Sequence, residues 1–453
     1  MERFLTEKFL FWLEVLSVIG AVREAVDALE ATAKWLDVRY ISLLVYFQKF
    51  NGVVQESPTL TLARDYSRFV ITFSDLISTS ASHIYISALP LSPQTSMVHA
   101  IYGRYARPLV RVVHGLQTSW EPVIATIHHE DLRGVTAWSP CNRFIAVVRS
   151  GVVEIRDAVT FVLLNTLKSS SHPDVLEIST DSRLLTQIDH EDRALLTWDL
   201  QTGGSIDAAF PEDMYSVLSS TYSMDGKLLA VAYSDDPGEA TLVATHDLST
   251  TRTHRYRVPE GRVLRPIWTH HKFLRFATAK PGSITIWEVE FTLTQLKVVE
   301  SFPAPDEIAN ADEYTKFLFL PTLSRLAVVL EDTLSIWDIR DSRLLLNAHF
   351  LARQLSFSSD GRFFACTPMA TMEVRIWKEC PTGYVLHQKL ATIGLSAPAC
   401  LSPNGESILI SPNSKIHLRH TRYDSSQSSD PENRSAQLYS GIFPRRTIGG
   451  VCT

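Results

Sequence analysis

Cysteine is scarce in this chain, and the few cysteines form no recognisable ligand or disulfide framework. There are five among 453 residues, an odd number at wide spacing, with no Cys-x-x-Cys pair. Such usage is typical of a reducing compartment, and it offers no zinc site. The sequence therefore predicts a cytoplasmic protein with no bound metal or other cofactor.

An excess of positive charge and long apolar runs are also lacking. The formal net charge is −6 at pH 7, so the chain has no basic surplus for a phosphate backbone, and we expect no nucleic-acid partner. A markedly apolar run near the start, residues 9–22, has 14 residues and contains Glu14. A bilayer span needs about 20 apolar residues. We therefore expect no membrane span and a packed amphipathic helix instead.

The motifs of common enzyme classes are missing. A phosphate-binding loop requires Gly-x4-Gly-Lys-Ser/Thr, but the one Gly-Lys pair, Gly226-Lys227, is followed by Leu228. Neither a Gly-x-Ser-x-Gly elbow nor a His-Glu-x-x-His zinc helix occurs. Two pairs of adjacent histidines cannot readily chelate one ion, because neighbouring residues on a strand point to opposite faces. We expect no enzymatic activity.

Residues 1–90 have the spacing of helices. Residues 2–36 are rich in helix formers and contain no proline, and their polar positions leave a wide apolar face. Ser57 and Pro58 are typical of a helix start, and apolar residues follow at spacings of three and four as far as Leu76. A shorter helix is predicted over 83–89, ending before Pro90, and residues 91–118 are predicted to form an irregular connector.

The apolar period changes to two from about residue 120, and short strands alternate with turns. A tryptophan–acid pair ends a strand in several repeats, and degenerate pairs fill the gaps. Successive pairs, starting at Arg156-Asp157, are 42, 48, 41, 50, 40 and 42 residues apart. Such a repeat indicates a ring of similar units, because a β-sandwich has no reason to repeat one motif at one spacing. The clear copies are Trp198-Asp199, Trp287-Glu288 and Trp337-Asp338, and the same slot holds Trp377 before Lys378.

A serine that opens a turn rich in Pro, Asp, Asn and Gly is the second repeated feature. A strand is predicted after each of these turns, at 144–148, 184–188, 228–233, 363–366 and 408–410. Two further strands, 273–277 and 326–330, are predicted where the turn signature is lost. The five serines are Ser139, Ser179, Ser223, Ser358 and Ser402.

With these two features in seven copies, residues 119–424 resemble an all-β, seven-bladed WD-repeat β-propeller. The Gly-His pair usual at the start of each repeat is absent. The resemblance implies that the family's hydrogen-bonded His, Ser/Thr, Asp and Trp set survives only as His172, Thr186, Asp192 and Trp198. It also implies six framework positions, which are Trp198, Asp199, Trp287, Trp337, Asp338 and Trp377.

Ring closure can be predicted from an unpaired strand. The seventh repeat has three strands and is followed by a polar tail, residues 425–453, which we expect to be disordered. Residues 122–127 form a strand that precedes the first complete repeat and has no sheet of its own. We expect this early strand to complete the last blade, because that removes two open sheet edges.

The chain as a whole resembles the back half of fungal NACHT proteins that carry WD repeats. In these proteins a helical stretch links a nucleotide-binding domain to a C-terminal propeller. The matching segments are residues 4–37, 62–93, 111–115, 118–120 and 137–141. The resemblance implies the propeller half of a NOD-like receptor without its nucleotide-binding domain.

The expected function is that of a non-catalytic protein-interaction or ligand-sensing scaffold, since loops on a rigid ring are where binding occurs. Other proteins are the expected partners, and the identity of a small-molecule ligand stays open. A constitutive assembly scaffold in trafficking or ubiquitin ligase assembly is an alternative, and an enzyme that uses the ring channel is a weaker one. The candidate partner-binding residues, on loops between blades, are Arg133, His172, Asp213, Tyr215 and Arg353.

Overall fold

The structure is a computed structural model of the 453-residue chain. It describes residues 1–47, 57–106, 112–121, 123–128, 136–149, 151–169, 173, 175–189, 191, 194–207, 216–223, 225–234, 241–248, 252–258, 262–270, 273–280, 283–290, 296–303, 316–319, 325–329, 333–338, 341, 343–369, 371–392, 398–412 and 415–421. The predicted tail at 425–453 lies outside these residues.

The N-terminal region is a layer of helices. They are α1 (Glu2–Glu7), α2 (Phe9–Val18), α3 (Val22–Phe47), α4 (Pro58–Thr79), a π-helical turn (Ile84–Ala88), α5 (Leu89–Leu91), α6 (Met97–Tyr102) and a 3-10 turn (Gly103–Tyr105). Ser57 is the N-cap of α4 and Pro58 its first residue, as predicted, although the serine side chain makes no capping hydrogen bond. The layer fits the predicted helical segment.

Two details of the helical segment differ from prediction. The helix expected to end before Pro90 continues through it, because proline in the first turn of α5 gives up no helical hydrogen bond. Residues 91–118, expected to be irregular, contain α6, whose N-cap Ser96 accepts a hydrogen bond from the His99 N–H. Residues 2–36 belong to three helices, α1, α2 and α3, with breaks at Lys8 and at Gly20, which has a φ of 70°.

Seven four-stranded antiparallel sheets make up the rest of the described chain. Blade 1 contains β2 (Thr136–Trp138), β3 (Phe144–Arg149), β4 (Val152–Asp157) and β5 (Leu163–Lys168); blade 2 contains β6 (Val175–Ile178), β7 (Leu184–Asp189), β8 (Ala194–Asp199) and β9 (Ser205–Asp207). Blade 3 contains β10 (Ser216–Tyr222), β11 (Leu228–Ser234), β12 (Thr241–Asp247) and β13 (Thr253–Arg257); blade 4 contains β14 (Arg262–His270), β15 (Phe273–Lys280), β16 (Ser283–Glu290) and β17 (Lys297–Pro303).

Blade 5 contains β18 (Lys316–Phe319), β19 (Arg325–Val329), β20 (Leu334–Asp338) and β21 (Arg343–Ala348); blade 6 contains β22 (Ala352–Phe357), β23 (Phe363–Pro368), β24 (Glu373–Cys380) and β25 (Gly383–Ala391). Blade 7 contains β26 (Ala399–Leu401), β27 (Ser407–Ile410), β28 (Lys415–His420) and the early strand β1 (Val123–His128). First strands of neighbouring sheets touch from blade 1 to blade 5 and between blades 6 and 7. Shared apolar clusters join blade 5 to blade 6 and blade 7 to blade 1, so the sheets form a ring. The seven-bladed all-β ring behind a helical segment is the predicted fold.

The closing strand confirms the prediction made from the unpaired segment at 122–127. β1 pairs antiparallel with β28, with Ile127 opposite Ile416 and Thr126 opposite His417. The Thr126 hydroxyl and the His417 Nδ1 are 2.9 Å apart across this pair. The first and last parts of the propeller sequence therefore share one sheet.

The serine turns join the first and second strands of five blades by one repeated network. In blade 2 the Ser179 hydroxyl accepts hydrogen bonds from the backbone N–H groups of Arg183 (3.2 Å) and Leu184 (2.8 Å) and donates to Asp181 (2.5 Å). The turn residue with positive φ is Gly226, Gly361 or Gly405 in three blades and Asn142 or Ser182 in the others. All five serines are fully buried, and each serine hydroxyl accepts a hydrogen bond from a backbone N–H group of its own turn.

These turns, together with those between third and fourth strands, lie at one end of the blades, which we call the lower face. The connections between blades and the turns between second and third strands lie at the other end, the upper face. Apolar clusters join blades 1 and 2, 2 and 3, 3 and 4, 5 and 6, and 6 and 7. The stability of the ring therefore comes largely from packing between neighbouring blades.

Candidate functional site

The helical layer covers the lower face where blade 7 meets blade 1. Arg23 of α3 forms an ion pair with Asp157 at the end of β4, and Lys34 lies 2.9 Å from Glu406 in the serine turn of blade 7. The Ser74 hydroxyl of α4 donates to the Thr160 carbonyl at 3.3 Å. One apolar cluster contains residues of the helices and of both blades. The helices therefore pack on the propeller rather than standing free, as their wide apolar face requires.

Two charged residues of α4 fasten the connector to the ring. Asp65 accepts hydrogen bonds from Trp120 Nε1 (2.7 Å), the Ser96 hydroxyl (2.9 Å) and the Val98 N–H (3.0 Å). Arg68 is 3% exposed, and its guanidinium donates at 2.6 Å to the carbonyls of Glu121 and Val123. These contacts fix the start of β1, the strand that closes the ring, against the helices.

The upper face has a surface of different character over blades 5 and 6. The connection at 349–351 and the turn at 368–372 are joined by a hydrogen bond from the Met369 N–H to the Leu351 carbonyl (2.8 Å). Met369 and Met372 are 46% and 50% exposed. The Arg375 guanidinium lies 4.7 Å from the ring centroid of Phe350 and forms a 2.6 Å ion pair with Glu373. We call Phe350, Met369, Met372, Glu373 and Arg375 the methionine patch.

The composition of the methionine patch is that of an interaction surface. Exposed methionine is adaptable and is frequent at surfaces that bind several partners, and aromatic residues and arginine are enriched where binding energy concentrates. All the contacts between helices and ring described above lie at the lower face, so they do not cover this patch.

Arg353 is the one candidate partner-binding residue whose backbone lies within the described residues. It occupies the register irregularity between Ala352 and Gln354, opposite Pro368 and Thr367, close in the chain to the connection at 349–351. Its backbone is described and its side chain is not. The other four candidate residues, Arg133, His172, Asp213 and Tyr215, lie outside the described residues.

All six implied framework positions lie on third strands of blades. Trp198 is 5% exposed, and Trp287, Trp337 and Trp377 are half-buried. Trp287 and Trp377 pack against apolar clusters that join two blades. In blades 4, 5 and 6 the register with the fourth strand shifts just before the tryptophan. At each shift the fourth strand has one extra residue, as in a β-bulge, which bends the fourth strand.

The acid that follows Trp198 closes a turn. Asp199 accepts hydrogen bonds from the N–H groups of Gln201 (2.8 Å) and Thr202 (3.0 Å) and from Arg183 Nε (2.8 Å). The Thr202 N–H, and after it Arg183, lower the pKa of Asp199, against the opposing effect of burial. Asp157 accepts in the same way from Val159 and Thr160 in blade 1. The repeated acid therefore organises the turn to the fourth strand.

The structure describes two of the four residues in the hydrogen-bonded set implied for blade 2. His172 and Asp192 lie outside the described residues, whereas Thr186 and Trp198 lie within them. The Thr186 hydroxyl is 2.6 Å from the Thr197 hydroxyl and also bonds to the hydroxyl of Tyr222 in blade 3. Thr186 thus takes part in a link between two blades.

Two buried histidines have strongly altered proton affinity. Burial, with Arg419, Lys415 and His128 adding to it, lowers the pKa of His417 to about 4. Burial, with Arg255 adding to it, lowers the pKa of His246 to about 4. Both side chains lie on third strands and contact hydroxyls, His417 that of Thr126 and His246 that of Thr253. They belong to the framework of the blades.

Groups that could perform metal chemistry do not converge in the described part of the chain. Within it, no three His, Cys, Asp or Glu side chains are placed to hold a metal ion. Among the helices described, none combines the length and the apolarity needed to cross a membrane.

The methionine patch was not found from the sequence. Met369 and Met372 stand at the ends of a short turn between two strands, where polar residues are expected. Two methionines in such a turn are a signal that the sequence alone could have offered. For Arg68, the sequence offers a different signal: a charged residue stands among the apolar positions of α4, which indicates a buried contact.

Comparison with known proteins supports the ring. No protein-family model matches the chain. The chain is 25% identical over 127 residues, 28% of its length, to the vegetative incompatibility protein HET-E-1 of Podospora anserina, and 23% identical over 221 residues, 47% of its length, to WD repeat-containing protein 90 of Xenopus tropicalis. These matches span only 8% and 12% of the two relatives.

Among solved structures, the β-propeller domain of Cps50 (Swd1) from Myceliophteria thermophila superposes with a TM-score of 0.50 at 15% identity. The superposition covers 66% of this chain and 99% of that domain, so it shows the fold alone. The seven four-stranded sheets, the tryptophan–acid repeat and these likenesses agree with one another.

Proposed function

We propose that this WD-repeat β-propeller protein is a non-catalytic scaffold that binds other proteins through the upper face of its ring. The observation that carries the proposal is the methionine patch, in which Met369 and Met372 are about half exposed on the face away from the helix contacts. A rigid ring beneath the patch lowers the entropy cost of ordering the binding loops.

The finer proposal is a sensing role, like that of the propeller half of a fungal NOD-like receptor in the cytoplasm. The match to a vegetative incompatibility protein supports it, as does the resemblance of the helical segment to the stretch that precedes such propellers. A sensor would bind its partner only after a trigger, whereas a constitutive assembly scaffold would bind it at all times. Binding compared before and after challenge of the cell separates the two roles.

The test of the scaffold role compares two charge insertions in blade 6. Met372→Glu alters the upper face, and Val385→Glu is a matched control, since Val385 is 45% exposed near the lower end of the same blade. Tagged full-length chains are purified from the native cell, and their partners are quantified by mass spectrometry. We expect Met372→Glu to lose at least one partner at least tenfold and Val385→Glu to retain it. Equal partner sets for both variants would contradict the proposed surface.

The non-catalytic part of the proposal has its own test. Purified chain incubated with ATP or GTP should release phosphate no faster than buffer, because the phosphate-binding loop is missing from the sequence. Turnover that persists through a second purification would contradict it.

A further inference from the structure

The apolar surface of the methionine patch consists mostly of thioether side chains. Glu373 and Arg375 are charged and form a 2.6 Å ion pair with each other. Phe350 is half-buried, and the Arg375 guanidinium lies 4.7 Å from its ring centroid. Met369 and Met372 are about half exposed. These two methionines therefore supply most of the apolar side-chain surface that the patch presents to a partner.

An exposed thioether is also a group that mild oxidants attack. A hydroperoxide transfers one oxygen atom to the thioether sulfur, which is oxidised by two electrons, while the O–O bond breaks and water or an alcohol leaves. The product, methionine sulfoxide, is polar where the thioether is apolar. Sulfoxide reductases reverse the step with two thiols, which become a disulfide while the oxygen leaves as water. Oxidation at the patch is therefore chemically reversible.

The position of the two methionines favours a change of surface over damage to the fold. Both lie on the turn at 368–372, at the upper end of blade 6, and the backbone of Met369 is held by its hydrogen bond to the Leu351 carbonyl. Neither methionine is among the described residues of the apolar clusters that join blade 6 to its neighbours. A sulfoxide at either position thus alters the patch and leaves the packing between blades intact.

The cysteine nearest to the patch in the chain is protected. Cys366 is fully buried, and burial raises the pKa of its thiol to about 12, so the reactive thiolate is scarce. Cys141 is exposed, and burial raises the pKa of its thiol less than the hydroxyls of Ser139 and Ser182 lower it. It lies in the serine turn of blade 1, however, at the lower face. The two thioethers are the groups through which an oxidant acts on the patch itself.

We propose that Met369 and Met372 are a reversible oxidation site, at which conversion of the thioethers to sulfoxides by a hydroperoxide releases the partner bound at the upper face. This site rests on the proposed scaffold role, since it regulates the same surface. A polar sulfoxide buried against a partner that was complementary to a thioether lacks a hydrogen-bond donor placed for it, so it costs binding free energy. Reduction restores the apolar surface and, with it, binding.

Peroxide treatment of the full-length chain tests the proposal. The probe is hydrogen peroxide, and mass spectrometry quantifies the sulfoxide at each methionine. We expect both patch methionines to be converted, with a melting temperature within a degree or two of the untreated chain, because neither side chain is buried. The Kd is then measured for the partner that Met372→Glu loses. Oxidation should raise this Kd at least about tenfold. Sulfoxide reductases A and B with dithiothreitol should restore it, whereas dithiothreitol alone, which reduces disulfides and sulfenic acids, should not.

Two leucine variants assign the effect, and the readout is the ratio of the Kd after peroxide to the Kd before it. In Met369→Leu/Met372→Leu the ratio should fall to about one, whatever the starting Kd, because leucine has no sulfur to oxidise. Met97→Leu is the matched control, since Met97 is 37% exposed on α6 in the helical layer, and it should keep the ratio of the parent.

Three results would overturn the oxidation site: an unchanged Kd when both patch methionines are sulfoxides, a ratio in the double variant equal to that of the parent, or full recovery with dithiothreitol alone. Failure of the scaffold role is recognised separately. In that case Met372→Glu retains every partner before any peroxide is added, and the release step is overturned with it.

Discussion

Replacing Arg68 with methionine separates the role of the helical layer in closing the ring from its general packing. The Arg68 guanidinium donates two 2.6 Å hydrogen bonds to the carbonyls of Glu121 and Val123, beside the closing strand. A hydrogen bond to a charged group contributes about 1.5–3 kcal/mol, and part of this is offset because methionine no longer buries a charge. We expect Arg68→Met to lower the free energy of unfolding by about 2–4 kcal/mol.

Arg64→Met is the matched control, one turn earlier on the same helix. Arg64 is 45% exposed and lies 2.8 Å from Asp37, and an exposed ion pair contributes about 1 kcal/mol or less. Urea unfolding of both variants, followed by fluorescence and circular dichroism, gives the two free energies. Hydrogen exchange shows where stability is lost, since amides of 123–128 and 415–420 should exchange faster in Arg68→Met alone. Equal losses in the two variants, or unchanged exchange in those strands, would refute the reasoning.

Three further predictions concern the ring itself. Trp198→Ala should lower the free energy of unfolding by about 3–5 kcal/mol, as for other buried aromatic residues. A melting temperature equal to that of the parent chain would show that this position tolerates loss of the indole. Gly383→Ala should lower the free energy of unfolding by more than about 2 kcal/mol, because a Cβ there would lie 2.1 Å from the Leu345 carbonyl oxygen. A Cβ at Gly151 meets no atom within 4 Å, so Gly151→Ala should lower it only by the strain of the positive φ, about 1 kcal/mol. His417 has a pKa of about 4 when folded, so its stabilisation is complete above its ordinary pKa of about 6.5 and is lost as pH falls from there towards 4, by about 2–3 kcal/mol. Urea titrations at pH 7 and 4.5 should show a smaller loss in His417→Asn than in the parent, and identical losses would contradict this assignment.

The ring was predictable because its signals are local and repeated. Each tryptophan–acid pair lies at or near the end of a third strand, and each serine turn precedes a second strand, so a short window of sequence identifies its place in the blade. Closure was predictable by elimination, because one strand had no sheet and one sheet lacked a strand. The absence of the usual Gly-His pair did not prevent this, since the serine turns and the tryptophan–acid pairs mark the repeats without it.

Features that depend on distant contacts could not be predicted. Nothing in the spacing of α4 shows that Asp65 meets Trp120 or that Arg68 meets Val123, because those pairs are 55 residues apart and lie in different elements. The methionine patch is formed by two connections separated in sequence, which the pairing of β22 with β23 brings together. Helix propensity likewise could not show that α2 exposes one of its two apolar sides, because only tertiary packing decides which side is covered.

The closing strand also sets an order for synthesis on the ribosome. β1 is made early, held by α4, and its partner β28 begins at Lys415, almost three hundred residues later. At about 5–20 residues per second, β1 waits roughly 15–60 s for its partner. During that interval the apolar side of the helical layer, together with Ile124 and Ile127, lacks the blade 7 residues that later cover it. Nascent chains of this protein should therefore depend on chaperones until the last blade emerges, and a chain that stops before β28 should be degraded rather than accumulate as a partial ring.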